Sequence, residues 1–138
     1  MKLHFLFVVS LCSLLVLASG CGGGGQSLKG KITFEDDGSP LTAGMVCFTT
    51  GTAESRGVIQ PDGTYVIGTN TDRDGIPPGE YRVYIINAVE VTGYDEANAM
   101  DITRPLIHAK YGSPDTSGLT HKTGEKTFDF KVERPQAR

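Results

Sequence analysis

The sequence of 138 residues has no tryptophan, only three cysteines and no cluster of basic side chains. Its 13 lysines and arginines are scattered along a chain whose net charge is −3, so the composition gives little support to nucleic-acid binding. Sustained helical periodicity is also missing, whereas 18 glycines and 7 prolines indicate many turns. Together with a hydrophobic content of 38%, these features predict one globular domain built from β-strands.

The motifs of common enzyme classes are missing as well. The sequence contains no GxSxG nucleophile elbow, no HExxH helix and no phosphate-binding loop. The stretch PDTSG at residues 114–118 has the residues of an aspartic-protease motif in the wrong order, and it occurs only once. We therefore expect a protein without catalytic residues and without a cofactor.

The stretch NTDRDG is the best match to a calcium loop. Asn70, Asp72 and Asp74 fit the first half of an EF-hand, but Tyr81 stands where the glutamate ligand is required, and Glu80 lies one residue early. The favoured interpretation is a polar connection between strands.

Three other side chains have metal-binding or nucleophilic chemistry. His108 and His121 are predicted to be solvated on a loop and a turn, with a shared metal as the alternative. Cys47 lies in an apolar strand pattern and is predicted to be a small buried residue, with a reactive nucleophile as the alternative. The sequence therefore predicts no metal site.

The first twenty residues differ from the rest of the chain. Lys2 is their only charged side chain, and a continuous apolar run extends from Phe5 to Ala18. A run of about 15 residues is shorter than the roughly 20 that a membrane-spanning helix needs, but it suits the core of a signal peptide. Residues 1–20 are therefore predicted to be a signal peptide.

The apolar run ends in ASGC, where the small residues Ser19 and Gly20 precede Cys21. This stretch resembles the lipobox of bacterial lipoproteins, although Ala18 stands where that family usually has leucine. The resemblance implies cleavage between Gly20 and Cys21, diacylglycerol on the Cys21 thiol, and acyl chains such as palmitate. It also implies a place in the bacterial cell envelope, with the outer membrane favoured because Gly22 follows the cysteine.

Other roles of Cys21 remain alternatives at this stage. A disulfide would need Cys47, the only other cysteine left after cleavage, and a metal site lacks nearby His or Cys ligands. An uncleaved anchor or soluble secretion are the remaining alternatives.

These observations divide the chain into four parts. A glycine-rich tether follows the lipid site, and the folded domain follows the tether. The parts are a signal peptide at 1–20, the lipidated cysteine and tether at 21–27, a folded domain at 28–133 and a C-terminal tail at 134–138.

Apolar and polar residues alternate along six stretches of the domain, which predicts half-buried strands. In EYRVYII, residues 80–86, the pattern places Tyr81, Val83 and Ile85 inward. Pro-Asp-Gly separates two of the stretches, so residues 55–68 are predicted to form a hairpin. A seventh strand is expected between residues 87 and 124. The predicted fold is all-β, a single antiparallel seven-stranded β-sandwich.

Part of the long segment after residue 87 has a more specific prediction. Cys47 and Tyr84 are apolar residues at outward positions, which implies that something covers the second face of their sheet. The stretch 102–111, which carries Ile102, is predicted to be that cover. Residues 89–103 form an insert to which the sequence assigns no role.

The order of four motifs resembles one known family. GKITF, SPLTAGMVCF, PDGTYVI and GIPPGEYRVYI follow one another as in the carboxypeptidase regulatory-like domain, a transthyretin-like β-sandwich. The resemblance covers about residues 28–133, and the later PLIHAKYGSPDTSGLT and GEKTFDF resemble small bacterial lipoproteins that carry this domain. It implies a non-catalytic accessory module. The motif residues expected to have structural roles are Asp62, Gly63, Tyr65, Gly79 and Tyr81.

The leading functional prediction is a lipid-anchored envelope protein that binds another protein or has a structural role. The alternative is a module that binds a glycan or another envelope polymer. A glycan site would use exposed aromatic rings, and without tryptophan the candidates are Tyr84, Tyr94 and Tyr111. The predicted partners are the membrane, through the lipid, and an envelope protein or polysaccharide.

Overall fold

The computed structural model describes residues 25–137. Nine strands and one short 3₁₀-helix, residues Ala109–Gly112, make up their regular structure. The predictions for Gly20, Cys21 and the signal peptide lie outside the described residues. The strands are β1 Lys29–Phe34, β2 Met45–Thr49, β3 Glu54–Val58, β4 Thr64–Val66, β5 Glu80–Ile86, β6 Val89–Asp95, β7 Met100–Pro105, β8 Leu119–Lys122 and β9 Phe130–Val132.

The strands form two sheets and a separate hairpin. One sheet has the order β4-β1-β9, and the other has the order β3-β2-β5-β8. These seven strands confirm the predicted all-β sandwich, and β8 supplies the seventh strand expected between residues 87 and 124. Among the described residues, the remaining two strands, β6 and β7, pair only with each other.

One strand pair differs from the predicted antiparallel arrangement. β9 lies parallel to β1, with Ile32 opposite Phe130 and Phe34 opposite Val132. The chain leaves β8 in the other sheet, crosses over along residues 123–129 and arrives beside β1 in the same direction as β1. A crossover of this kind permits parallel pairing, whereas a tight hairpin turn does not.

The core lies between the two sheets. Tyr81, Val83 and Ile85 of β5 are at most 3% exposed, which confirms the inward face that the period-two pattern predicts. Phe48 of β2 is fully buried at the centre of an aromatic cluster. Ring centroids within 6.4 Å of the Phe48 ring belong to Tyr65, Tyr81, His121 and Phe128.

The predicted hairpin at residues 55–68 is wrong, because its two strands belong to different sheets. β3 pairs with β2, and β4 pairs with β1. The turn between them is nevertheless tight, since the Gln60 amide donates to the Thr64 carbonyl at 2.8 Å. Beyond the turn, Arg56 and Gly68 exchange two backbone hydrogen bonds. The segment therefore carries the chain from one sheet to the other.

The stretch 102–111, which is predicted to cover the second face, has an exposed first part and a buried second part. Ile102 lies in β7 and is 50% exposed, so the prediction that it packs on the second face is wrong. The reason is that, within residues 25–137, β7 pairs only with β6. Ile107 and Tyr111 are buried in the core. Packing against the sandwich therefore begins only after β7 ends.

The N-terminal end of the described chain is bound to the sandwich. Gln26 and Ile76 exchange two backbone hydrogen bonds of 2.9 Å. A Cβ atom on Gly25 would lie 2.6 Å from the Ile76 nitrogen, so Gly25 also lies against this segment. The predicted tether at residues 21–27 is therefore not free over its last residues.

The beginning of the predicted C-terminal tail is bound as well. The Arg134 guanidinium lies 3.8 Å from the centroid of the Phe34 ring and donates to Asp36 at 2.8 Å and Asp37 at 3.0 Å. Hydrogen bonds from Ser39, aided by the charge of Arg134, lower the pKa of Asp37 to about 2. This contact connects the end of the chain to the turn that follows β1.

Candidate functional site

A projecting hairpin is the most exposed apolar feature of the described residues. Strands β6 and β7, residues 89–105, form this hairpin arm. A backbone hydrogen bond of 2.9 Å from Leu106 to Ala88 closes its base, and Ala88 is only 6% exposed. Since β6 has 7 residues and each adds about 3.3 Å, the ladder of the hairpin arm is about 20 Å long.

Large apolar side chains occupy both faces of the hairpin arm. The strand register places Val89, Val91 and Tyr94 on one face, and Met100 and Ile102 on the other. A β-bulge after Val91 adds one residue, which brings Tyr94 to the same face as Val91. These five side chains are 36–62% exposed. Exposed apolar side chains on a two-stranded ladder, which is marginally stable by itself in water, make the hairpin arm a candidate site.

The tip of the hairpin arm is a turn built around Asp95. The Asp95 carboxylate accepts hydrogen bonds from the Ala97 amide at 2.9 Å and the Asn98 side-chain amide at 2.7 Å. These contacts, with that of Asn98 the largest, lower the pKa of Asp95. Ala99 completes the turn with a positive φ of 51°. The tip is therefore held by its own hydrogen bonds.

The hairpin arm is acidic. It contains four carboxylates and one guanidinium, so its net charge is 1 − 4 = −3. Glu90 forms an ion pair with Arg104 near the base, and Asp95 is used by the turn. The outward negative charge near the tip therefore comes from Glu96 and Asp101.

Only one of the three tyrosines considered for glycan binding is well exposed. Tyr111 is 3% exposed, and its hydroxyl accepts a hydrogen bond from the Glu133 amide at 3.2 Å. Tyr84 is half-buried, and its hydroxyl donates to Glu54 at 2.5 Å. Tyr94, on the hairpin arm, is 58% exposed. The three rings therefore do not form a common surface.

The two histidines are separate, and only one lies at the surface. The His108 Nδ1 atom accepts a hydrogen bond of 3.1 Å from the Lys110 amide, which caps the 3₁₀-helix. His121 is 7% exposed, and its ring packs against Phe48 and Phe128. The prediction of a solvated residue is wrong for His121, because it lies on the inner face of β8. Within residues 25–137, no group of three or more His, Cys, Asp or Glu is placed to hold a metal ion.

Protonation of His121 is expected to destabilise the fold. Burial lowers its pKa below the ordinary 6.5, partly opposed by Glu125, and its Nε2 atom has no hydrogen-bond partner among the described residues. Near pH 6.5 the unfolded chain therefore binds a proton that the folded chain does not bind. Stability is complete above the unfolded pKa and is lost as the pH falls below it. We expect the urea midpoint to decrease between about pH 7 and pH 5.

Two histidine variants test the origin of this pH dependence. His121→Phe removes the titrating group from the aromatic cluster and should flatten the urea midpoint over the same pH range. His108→Asn also removes one histidine, but it should keep the slope of the wild type. An unchanged slope in His121→Phe would show that His121 is not the responsible group.

Cys47 is buried, as the sequence predicts. Its side chain is fully inaccessible, and burial, with the charge of Glu54, raises the pKa of its thiol to about 11. Little thiolate is then present at neutral pH. We expect iodoacetamide to label Cys47 in the folded protein on the order of 100-fold more slowly than in urea. Peptide mapping by mass spectrometry measures both rates, and equal rates would contradict this prediction.

The loop considered for calcium is organised by one of its own carboxylates. Asp74 accepts backbone hydrogen bonds from Thr69 at 2.5 Å, Asn70 at 3.0 Å and Thr71 at 3.1 Å. These bonds, of which that from Thr69 is the strongest cause, lower the pKa of Asp74. The carboxylate therefore shapes a polar connection between strands.

The side chains of the stretch PDTSG also make contacts within the fold. Asp115 forms an ion pair with Arg82 on β5. The Thr116 hydroxyl donates to the Lys110 carbonyl at 2.6 Å, and the Ser117 hydroxyl donates to the Val83 carbonyl at 2.5 Å. These side chains attach the segment before β8 to its neighbours.

Three of the motif residues near β4 and β5 form hydrogen bonds that stabilise the fold. The Tyr65 hydroxyl donates to the Phe128 carbonyl at 2.5 Å, and the Tyr81 hydroxyl donates to the Pro77 carbonyl at 2.8 Å. Asp62 accepts hydrogen bonds from the amide and hydroxyl of Thr64, which form the turn before β4. The structural roles that the sequence predicts for these side chains agree with their contacts.

A polar groove of about 790 Å³ lies beside β3 and β4. Apart from Met45, all of its lining residues lie at positions 54–73, and the sequence does not reveal it because the pattern predicts that β3 and β4 pair as a hairpin. Its lining includes Glu54, Arg56, Gln60, Asn70 and Asp72.

These features define the class of the protein as a seven-stranded β-sandwich with a projecting two-stranded arm. No protein-family model and no curated protein sequence matches the chain. Residues 25–137 contain no helix with the length and apolar character needed to cross a membrane.

Two solved structures are similar to the chain at a low level. The major pilin subunit BcpA of Bacillus cereus has 12% identity and a TM-score of 0.44, with 82% of this chain and 30% of the pilin covered. A 9R-lipoxygenase from Cyanothece has 18% identity and a TM-score of 0.36, with 77% of this chain and 16% of the lipoxygenase covered. This chain thus spans less than a third of either protein, and we draw no functional conclusion from these similarities.

Proposed function

We propose that this protein is a lipid-anchored, non-catalytic module of the bacterial cell envelope that binds another protein through its hairpin arm. The observation that carries this proposal is the exposure of five large apolar side chains on an arm that pairs with no other strand in the described part of the chain. The motif order that resembles carboxypeptidase regulatory-like domains supports the same role, because that family uses the domain as an accessory.

The proposed anchor is Cys21, with cleavage after Gly20 and the outer membrane as the favoured location. Each buried lipid methylene contributes about 0.8 kcal/mol, so two or three acyl chains give stable anchoring. Since Gly25 and Gln26 lie along Ile76, only residues 22–24 separate Cys21 from the bound segment. A random coil of three residues would reach about 10 Å, which would keep the sandwich beside the headgroups.

The anchor is tested by metabolic labelling with a palmitate analogue and by membrane fractionation. Cys21→Ala is expected to lose the label and to leave the membrane fraction. Cys47→Ala is the matched control, since it removes a buried thiol within the domain and should keep both properties. A cleaved Cys21→Ala form that stays in the membrane fraction would refute the proposed anchor.

Protein binding through the hairpin arm is tested by site-specific photocrosslinking in intact cells. A photoreactive residue at position 94 is compared with one at position 126, because Tyr94 and Lys126 are both exposed and Lys126 lines neither the hairpin arm nor the groove. We expect adducts of defined mass from position 94 and none from position 126. Equal adducts at both positions, or none at position 94, would argue against an interaction at the hairpin arm.

The polar groove favours a second candidate, binding of a glycan or another envelope polymer. Its lining offers hydrogen-bond donors and acceptors such as Arg56, Asn70 and Asp72, which suit hydroxyl groups. Retention on immobilised envelope polysaccharide tests this candidate. Loss of retention in Asn70→Ala, with retention kept in Tyr94→Ala, would assign the polymer to the groove.

A further inference from the structure

The outer edge of β7 is open to another strand. β7 pairs with β6 on one side, and no strand of the described residues pairs with it on the other. All six of its residues are exposed. Pro105 ends the usable edge because it has no amide hydrogen, so Met100–Arg104 is the part that can accept a strand. An unprotected edge of this kind is a site for strand addition.

The side chains along this edge define what an added strand must carry. Met100 and Ile102 lie on one face of the hairpin arm, and Asp101 lies between them on the other face. Residues paired across neighbouring strands share a face and interact directly. The complement of Met100–Asp101–Ile102 is therefore a basic residue between two apolar residues.

Charge favours such a basic strand over two other molecules that could cover the edge, namely a second copy of this chain and an anionic lipid surface. The hairpin arm has a net charge of −3, so an arm from a second copy and an anionic lipid surface would both be repelled. A basic extended segment would be attracted, with Asp101 beside its basic side chain and Glu96 near the tip.

We propose that the edge of β7 binds an extended segment of a partner protein in which a Lys or Arg alternates with apolar residues. The segment adds to the hairpin arm as a third strand, antiparallel or parallel to β7, and covers Met100 and Ile102. This inference deepens the proposed function, since it rests on protein binding by the hairpin arm and states the chemistry of the partner.

The probe is an end-blocked octapeptide of alternating valine and lysine, and the matched control replaces lysine by glutamate. The full chain is placed in nanodiscs of neutral lipid. Tyr94→Trp provides the only tryptophan of the chain, on the same face as Asp101 and directly opposite it. Its fluorescence follows binding, and hydrogen exchange measures the protection of the β7 amides. We expect at least tenfold tighter binding of the lysine peptide and slower exchange along β7.

Two further comparisons test the recognition and the backbone pairing. Asp101→Lys should weaken lysine-peptide binding at least tenfold, whereas Glu35→Lys, an equal charge change at an exposed position just after β1, should alter it less than twofold. Two N-methylated lysine peptides test the pairing, one methylated at the odd-numbered amides and one at the even-numbered amides. Only the peptide whose methylated amides point toward β7 should lose binding. Equal binding by both methylated peptides would exclude strand addition.

Other outcomes would overturn the inference in distinguishable ways. A tryptophan shift on anionic nanodiscs without peptide would assign the hairpin arm to lipid. A shift that depends on protein concentration alone would assign it to a second copy. No preference for lysine over glutamate would reject the proposed partner chemistry, while crosslinks at position 94 would still support protein binding by the hairpin arm.

Discussion

Gly30→Ala is expected to lower the free energy of unfolding by about 3 kcal/mol or more. A Cβ atom at position 30 would lie 2.0 Å from the Phe128 carbonyl oxygen and 2.6 Å from the Tyr65 hydroxyl. These two groups are hydrogen-bonded to each other, so neither can move without breaking the contact between β4 and the segment before β9. The added methyl group must therefore push β1 away from a neighbour. Urea unfolding of the full chain, followed by circular dichroism, measures the loss.

Gly112→Ala is the matched control for this substitution. A Cβ atom on Gly112 has no neighbour within 4 Å, and its backbone is outside the left-handed region. We expect its free energy of unfolding to stay within about 0.5 kcal/mol of the wild type. If Gly30→Ala were as stable as Gly112→Ala, the close approach at Gly30 would not limit the fold.

Phe48→Ala is expected to cost about 3–5 kcal/mol, because it leaves a cavity at the centre of the aromatic cluster. Phe48 is fully buried, and the ring of His121 lies edge-on to it with the centroids 5.8 Å apart. The cavity would lie between rings from both sheets, which cannot easily move together to fill it. Thermal unfolding gives the change in midpoint.

Two variants keep this prediction testable. Val58→Ala removes an apolar side chain from β3 that is 57% exposed, so its effect should stay below about 0.5 kcal/mol. If Phe48→Ala does not fold, Phe48→Leu should fold with a loss of about 1–3 kcal/mol, because it retains most of the buried volume. Equal stabilities of Phe48→Leu and Val58→Ala would contradict the central position of Phe48.

The strands of the sandwich could be predicted where one face of the strand is buried and the other is exposed to solvent. In β5 the period-two spacing of Tyr81, Val83 and Ile85 gives the inward face, although Tyr84 and Ile86 on the outward face are also apolar. The same rule could not show that β9 runs parallel to β1, because alternation is identical for both directions. It also could not show that β3 and β4 belong to different sheets, because a turn motif does not determine which sheet the next strand joins.

The hairpin arm could be predicted only in part. Val89 and Val91 alternate with a polar residue, Met100 and Ile102 do the same, and turn-forming residues lie between the two pairs. This pattern indicates two strands and a turn. Alternation normally means that one face is covered, however, and here the bulge and the isolation of the hairpin leave apolar groups exposed on both faces.

His121 shows the same limit for the core. Its neighbours in the sequence are polar, so the local pattern predicts a solvated turn. Its burial results from the pairing of His121 with Tyr81 across the sheet, which places the imidazole on the inner face. Long-range pairing therefore decided the environment of this residue, and the local sequence could not.

The contact between Gln26 and Ile76 fixes which end of the domain lies nearest to the proposed anchor. Ile76 lies four residues before Glu80, the first residue of β5, and the hairpin arm begins three residues after Ile86, the last one. The 7 residues of β5 extend about 20 Å, so the attachment and the root of the hairpin arm lie at opposite ends of the same strand. We therefore expect a molecule attached through Cys21 to hold the root of its hairpin arm at the end of β5 that lies farther from the bilayer.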